Sequence, residues 1–258
     1  MFKDLEGKRV LVTGSTAGIG FAAAAAFAKA GARVGINSHQ NDATATAALA
    51  ALQECGGEVA YFQADVTKSA ECEKMVADFV AKFGGIDVLI NNAGGLGGRS
   101  KAEDIDDEFY DRVMNLNARS VIMVTKFAIP HLRASAAASG LTSCVISTGS
   151  IAGREGGGLG ASLYGASKAW LHNIQRNWVK ELTKDNIRFN IVAPGTIDTA
   201  FHDDKSTELK TNIANSIAMG RFGTIDECAP SYLFFASHMA SGYVTGQILD
   251  VNGGQMCP

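Results

Sequence analysis

Tyr164 and Lys168 stand four residues apart, a spacing that places both side chains on one face of a helix. A free tyrosine has a pKa of about 10 and exchanges protons poorly at neutral pH. A neighbouring ammonium favours the phenolate and lowers that pKa, so such a pair can trade a proton with a carbonyl or an alcohol. Ser150 follows the apolar run 143–147, where a hydroxyl at a strand end can hold a developing oxyanion. Near the N-terminus, Thr13-Gly14-Ser15-Thr16-Ala17-Gly18-Ile19-Gly20 follows the apolar run 8–13 and opens a helical segment. A glycine-rich turn of this kind lets the backbone approach a ligand closely and aims a helix N-terminus at its phosphates, as dinucleotide binding requires. Three residues separate Gly14 from Gly18, so the spacing departs from the G-x-G-x-x-G form.

These residues need a frame, and short apolar runs alternating with longer amphipathic segments supply it. The runs 8–13, 32–37, 58–64, 86–91, 143–147, 187–192 and 247–251 read as strands. Segments 21–30, 41–55, 69–83, 106–133, 161–184 and 226–237 read as helices, and 134–140 as a helix-to-strand loop. Strand runs without polar alternation belong to a parallel sheet covered on both faces, and βαβ alternation brings right-handed crossovers. The expected fold is α/β: a three-layer, Rossmann-type, doubly wound parallel sheet of about seven strands. No linker or repeat divides the chain, so residues 1–258 are expected to form a single domain.

Composition narrows the partners. With 23 basic and 26 acidic residues the net charge is −3, which argues against nucleic acid and against a polybasic membrane patch. The longest apolar stretch, 21–28, is too short to span a bilayer, and no secretory signal is seen. Cys55, Cys72, Cys144, Cys228 and Cys257 are an odd set without C-x-x-C spacing, which fits a reducing cytoplasm and no zinc site. His39, His131, His172, His202 and His238 show no metal-like clustering, so no metal is expected.

The ordered motifs together resemble the short-chain dehydrogenase/reductase family, over essentially the whole chain. They are Thr13 to Gly20, Asn91-Asn92-Ala93-Gly94, Asn115-Leu116, Ser150, Tyr164-Gly165-Ala166-Ser167-Lys168 and Pro194-Gly195. The resemblance implies catalytic roles for Ser150, Tyr164, Lys168 and Asn115, the asparagine holding a water that links the lysine to solvent. Asn117 competes with Asn115, and the Asn-Leu pair favours Asn115. The resemblance further implies cofactor contacts from Gly14, Ser15, Thr16, Gly18, Ile19, Gly20, Ser38, His39, Asp65, Val66, Asn92, Ala93 and Gly94. Tyr164, Lys168, Pro194, Gly195, Ile197 and Thr199 complete that set. Ser150 lies fourteen positions before Tyr164, one more than the family spacing, and the inserted glycines 156–158 and 160 are expected to loop out the difference.

Nucleotide preference should be set after the second strand, at Asn37-Ser38-His39-Gln40. A 2′-phosphate wants arginine or lysine, and Ser38, His39 and Ala17 offer neither, so NAD(H) is favoured with NADP(H) as the alternative. Within the family the chain is similar to the bacterial alginate-catabolic reductases, in its NADH-preferring branch. The shared stretches include Asn92 to Leu96 with Arg99, Ser147 to Gly153, Leu171-His172-Asn173 and Gly220 to Thr224. That likeness implies reduction of 4-deoxy-L-erythro-5-hexoseulose uronate (DEH), an acidic keto aldehyde, to 2-keto-3-deoxy-D-gluconate, and an assembly of homotetramers. A uronate needs a cation, and Arg99 and Arg154 are the candidates on loops at the carboxyl edge of the sheet. Residues 199–219 are expected to cover the substrate. The alternatives are a 3-oxoacyl-thioester reductase, a polyol or sugar dehydrogenase, and a non-catalytic dinucleotide sensor, which would typically lack the tyrosine or lysine.

Overall fold

The computed structural model describes residues 2–202 and 206–257. Its strands are β1 (Arg9–Val12), β2 (Arg33–Ser38), β3 (Glu58–Gln63), β4 (Val88–Asn91), β5 (Ser143–Thr148), β6 (Ile187–Pro194) and β7 (Ile248–Val251). They form one seven-stranded sheet in the order β3-β2-β1-β4-β5-β6-β7, parallel throughout. This is the doubly wound fold that the alternation predicts. β4, β5 and β6 are buried at every position, as in a sheet covered on both faces, and the polar Arg188 and Asn190 of β6 are buried with hydrogen-bond partners.

The helices are α1 (Gly18–Lys29), α2 (Ala43–Glu54), α3 (Ser69–Phe83), α4 (Asp107–Met114) and α5 (Ser120–Ser139), then α6 (Ala152–Glu155), α7 (Ser162–Leu182), α8 (Thr207–Ser216), α9 (Ile225–Ala236) and α10 (His238–Ser241). Successive strand residues point to opposite faces. Val10, Val12, Val34 and Ile36 pack with Phe27 of α1 and with Tyr232 and Phe235 of α9. Leu11, Leu89, Val145 and Phe189 pack with Phe79 of α3 and with Val124 and Leu132 of α5. Each large apolar side chain fully buried in these layers contributes about 1.5–3 kcal/mol. Polar caps mark the helix starts: Asp42 accepts from Ala45 N at 3.0 Å, Asp106 from Phe109 N at 2.8 Å, and Thr224 and Glu227 form a reciprocal capping box.

Two expectations need correction. The helix expected over 106–133 is present but not a plain α-helix, because α4 and α5 are joined end to end by a π-helical turn, Asn115–Arg119. The expected loop over 134–140 is helical up to Ser139, and Gly140, at φ 67°, caps it in the left-handed conformation that glycine adopts without a Cβ penalty. Among the described residues no helix is long and apolar enough to cross a membrane, and no group of metal-ligating side chains occurs.

The chain runs outward from β1 to β3 and then returns to place β4 on the other side of β1. The loops leaving β1 and β4 therefore diverge, opening the crevice where ligands bind in such sheets.

Candidate active site

That crevice is a cavity of about 450 Å³ whose lining runs from Gly14, Gly18 and Ile19 to Ser150, Tyr164 and Lys168. At its first end the glycine turn is braced from β4. Asn92 Nδ2 donates to Gly14 O at 2.8 Å and to Thr13 O at 3.1 Å, while Thr13 Oγ1 accepts from Ala93 N at 3.1 Å. Gly14 and Gly18 both have φ of 59°, and a Cβ at Gly14 would lie 2.8 Å from Ala93 Cα. Glycine is required there on both counts. Ser15 is buried, its Oγ donating to Val12 O at 2.7 Å, and Thr16 follows at the mouth of the turn. Gly20 packs directly on Asn92 and the Gly14 carbonyl, so the helix starts close beneath the turn.

At the other end, Tyr164 and Lys168 sit on the first turns of α7, and the ammonium lies 5.7 Å from the phenol ring centroid. Lys168 is buried and donates to Thr148 O at 2.8 Å. Ser150, Tyr164 and Lys168 line the same end of the cavity, so the three side chains meet at one spot. Burial pushes the Tyr164 pKa up, and the nearby Ser150 hydroxyl only partly offsets that rise. The expected lowering by Lys168 does not prevail; burial brings the lysine itself down to about 8. The resting site therefore holds a protonated phenol beside a weakly basic amine, which suits proton donation to a carbonyl oxygen.

The serine turn is tightly packed. His172, four residues beyond Lys168 on α7, is wedged beneath it, and a Cβ on Gly149 or Gly153 would lie 2.6 or 2.7 Å from its ring. Burial, with Arg154 and Lys168 nearby, pushes the imidazole down to about 4, so it stays neutral. Beyond the turn, Gly156, Gly157 and Gly160 have φ of 87°, 79° and 74°, forming the loop expected from the inserted glycines.

Sequence reasoning favoured Asn115, and here the structure differs. Asn115 Oδ1 accepts from exposed Arg119 Nε at 2.7 Å, away from the cavity. Asn117 is buried instead. Its Nδ2 donates to Gly95 O at 2.8 Å and Val113 O at 2.9 Å, and its Oδ1 accepts from Gly95 N at 3.0 Å. By taking the carbonyl of the residue four positions back, this amide accounts for the π turn. A Cβ at Gly94 would lie 2.9 Å from Asn117 Oδ1 and 3.1 Å from Lys168 Nζ, so Gly94 leaves the gap in which amide and ammonium converge.

Arg154 is the second correction. It lies in α6 and forms a two-pronged pair with Asp250 of β7, at 3.0 and 2.8 Å, and it faces a separate cavity with Asn173 and Arg176. A guanidinium already paired in that direction does not reach the crevice that holds Ser150. Arg99 does line that crevice, with one nitrogen donating to Leu159 O at 2.6 Å.

The remaining cofactor candidates divide into residues at or beyond the ends of β2 and β3, which are not in the cavity lining, and residues at or beyond the ends of β4 and β6, which are. Asp65 and Val66 follow β3, Asp65 accepting from Thr67 N at 3.0 Å. Ser38 Oγ accepts from Gln40 N at 3.3 Å, and His39 is exposed. Gly94, Pro194, Gly195, Ile197 and Thr199 line the cavity, with Gly195 N donating to Val251 O at 2.9 Å. From the segment 199–219, Phe201 and Ile213 line it too, and Phe201 lies 5.7 Å from the Tyr164 ring centroid to centroid. Asp203, Asp204 and Lys205 of that segment lie outside the described residues. Sequence reasoning missed Thr148, Glu155 and Gln255, which also face the cavity. Of these, only Thr148 had a signal, as the last residue of a buried strand.

A family model described as enoyl-(acyl carrier protein) reductase matches residues 14–256. The crystal structure of an NADH-dependent reductase A1-R′, responsible for alginate metabolism, is 68% identical, with a TM-score of 0.93 over 99% of this chain and 100% of that one. The structure of a DEH reductase A1-R′ mutant is 66% identical, with a TM-score of 0.94 and full coverage of both chains, each 100%. A 3-oxoacyl-(acyl-carrier-protein) reductase FabG of Thermotoga maritima is 35% identical over 254 residues, 97% of this chain and 98% of its own length. Sheet order, glycine turn and the grouped serine, tyrosine and lysine agree with these likenesses: the chain belongs to the short-chain dehydrogenase/reductase family and is an NAD(P)-dependent oxidoreductase.

Proposed function

We propose that this protein is an NADH-dependent carbonyl reductase acting on DEH or a closely similar sugar-derived keto acid. The observation that carries the reading is the meeting of Ser150, the protonated Tyr164 and Lys168 at one end of a crevice that begins at the glycine turn. The residues fit a dinucleotide, since glycines at 14 and 18 leave a cradle and the α1 N-terminus faces the same cavity. When bound, NADH supplies the hydride to the carbonyl carbon. Ser150 then holds the carbonyl oxygen and Tyr164 gives it a proton, so that the product is an alcohol. Lys168, with Asn117 beside it, resupplies the proton to the phenol.

NAD(H) is the preferred nucleotide. The groove next to Ala17 is lined by Thr16, Phe21, Ala43, Thr44 and further alanines, with no arginine or lysine to receive a 2′-phosphate. The substrate's carboxylate is assigned to Arg99, whose other guanidinium nitrogens remain available at the rim, and Phe201 with its segment covers the substrate from above. The two alginate-metabolism structures, both above 65% identity, support the acidic substrate, whereas the FabG likeness at 35% supports the thioester alternative less strongly. The reading places the enzyme in the cytoplasm as a homotetramer. All five cysteines unpaired support the compartment, and exposed Tyr243 and Leu249, before and in the edge strand β7, support the assembly.

The test is steady-state turnover of DEH and of an acetoacetyl thioester, each with NADH and NADPH. DEH with NADH should give the highest kcat/KM. Turnover of the thioester alone, or a preference for NADPH, would overturn the assignment.

A further inference from the structure

Asn37, the next-to-last residue of β2, is buried at 1% exposure and cannot touch a bound nucleotide with much of its side chain. It nevertheless joins three strand ends. Its Nδ2 donates to Phe62 O at 3.0 Å in β3 and to Ala64 O at 3.1 Å just beyond it. Its Oδ1 accepts from Gly14 N in the glycine turn at 3.2 Å. Its backbone exchanges two further bonds with Ser15, Asn37 N donating to Ser15 Oγ at 3.0 Å and Ser15 N to Asn37 O at 2.9 Å.

The orientation of the amide follows from these partners. Two carbonyls demand a donor and a backbone N–H demands an acceptor, so turning the amide over would set oxygen against oxygen and N–H against N–H. Of the common side chains of this size, only asparagine meets both demands at once. What it ties together has functional meaning. Gly14 lies in the glycine turn that lines the crevice, while Ala64 is followed directly by Asp65-Val66, the pair for which the family resemblance implies a cofactor contact. The Asn37 amide bridges those two segments directly, beside the backbone bonds that join Asn37 to Ser15 and β2 to β3.

We infer that Asn37 is a positioning residue for the adenosine half of the cofactor: its amide fixes the spacing between the glycine turn and the end of β3 and so sets nucleotide affinity without contacting the reacting atoms. The inference rests on the cofactor reading above. Wild-type protein that binds no NADH would overturn that reading and this one together, whereas Asn37 itself is judged by the ratio of variant to wild type.

Asn37→Asp keeps the acceptor for Gly14 and turns the two donor contacts into repulsion with the carbonyls of Phe62 and Ala64. The expected result is an NADH Kd, read by fluorescence titration, raised about tenfold, as loss of buried partners predicts. Competitive inhibition by AMP should weaken by a similar factor, while kcat at saturating NADH and KM for the carbonyl substrate stay within about twofold of wild type. Asn37→Ser, which removes the fork without adding charge, should show the same split and serves if the aspartate variant does not fold. Unchanged NADH and AMP affinity would overturn the proposal. So would a kcat that falls in step with affinity, or a failure of both variants to fold, either of which would make Asn37 a general structural residue.

Discussion

The cofactor side and the substrate side of the crevice are built differently. On the cofactor side, Thr13, Ser15, Asn37 and Thr148 are buried and with Asn92 hydrogen-bond turns to strand ends, while buried Asn91 ties β4 to Thr125 of α5. On the substrate side, Arg99 is exposed, Leu159 is 96% exposed, and the two loops that carry them contain Gly97, Gly98, Gly156, Gly157 and Gly160 in left-handed conformations. The first region has the chemistry fixed in a rigid frame, as any carbonyl reduction with a dinucleotide needs. The second presents few constraints, which is where the choice of substrate can vary without disturbing the frame.

The comparison can be broken hardest at Tyr164. Tyr164→Phe keeps the ring packing and removes only the proton donor, so turnover should fall by about 10²–10⁴ while NADH Kd is retained. Near-normal turnover in fluorescence-verified, NADH-binding protein would remove Tyr164 from the mechanism.

Arg99→Ala tests the substrate side. Loss of a charge-assisted pair should raise KM for an acidic keto substrate by about ten- to a hundredfold and leave a neutral aldehyde of similar size nearly unaffected. Arg154→Ala should leave both KM values unchanged, because its guanidinium is paired with Asp250 outside the crevice. A rise in KM limited to the acidic substrate in Arg154→Ala would reverse that assignment.

The two asparagines give a smaller contrast. Asn117→Ala removes the partners of Gly95 and opens the π turn beside Lys168, and kcat/KM should drop about tenfold with a lowered Tm. Asn115→Ala should stay near wild type in both kcat/KM and Tm, since only an exposed contact to Arg119 is lost.

The smallest effect is the pH dependence of stability from Lys168. Its folded pKa of about 8 lies below its ordinary 10.5, so between those values the unfolded chain binds more protons and stability rises with pH. A Lys168→Met variant lacks this dependence. Its Tm advantage over wild type should be largest below pH 8 and shrink by a few degrees as pH rises through that window; a constant difference would contradict the lowered pKa.

Much of the cofactor side was legible because its signals are local. The Gly14-to-Gly20 turn lies in eight consecutive residues, the tyrosine and lysine share one helix turn, and strands buried on both faces read as unbroken apolar runs. What escaped the sequence is set at a distance. Arg154 is neutralised by Asp250, ninety-six positions away, and no local pattern reveals that partner. Asn117 displaces Asn115 because its amide meets Gly95, far back in the chain, and forms a π turn in a helix whose apolar period runs on unbroken. The Tyr164 pKa is not legible in its spacing from Lys168 alone, because desolvation depends on everything packed around the ring.

The claim that the substrate side selects an acid is tested most directly in the wild-type enzyme, by comparing kcat/KM with saturating NADH for DEH and for an analogue in which the carboxylate is replaced by a neutral amide. Recognition by Arg99 predicts that the acid is preferred by about tenfold or more, with the difference in KM and with kcat nearly equal. Equal kcat/KM for the two compounds would contradict it.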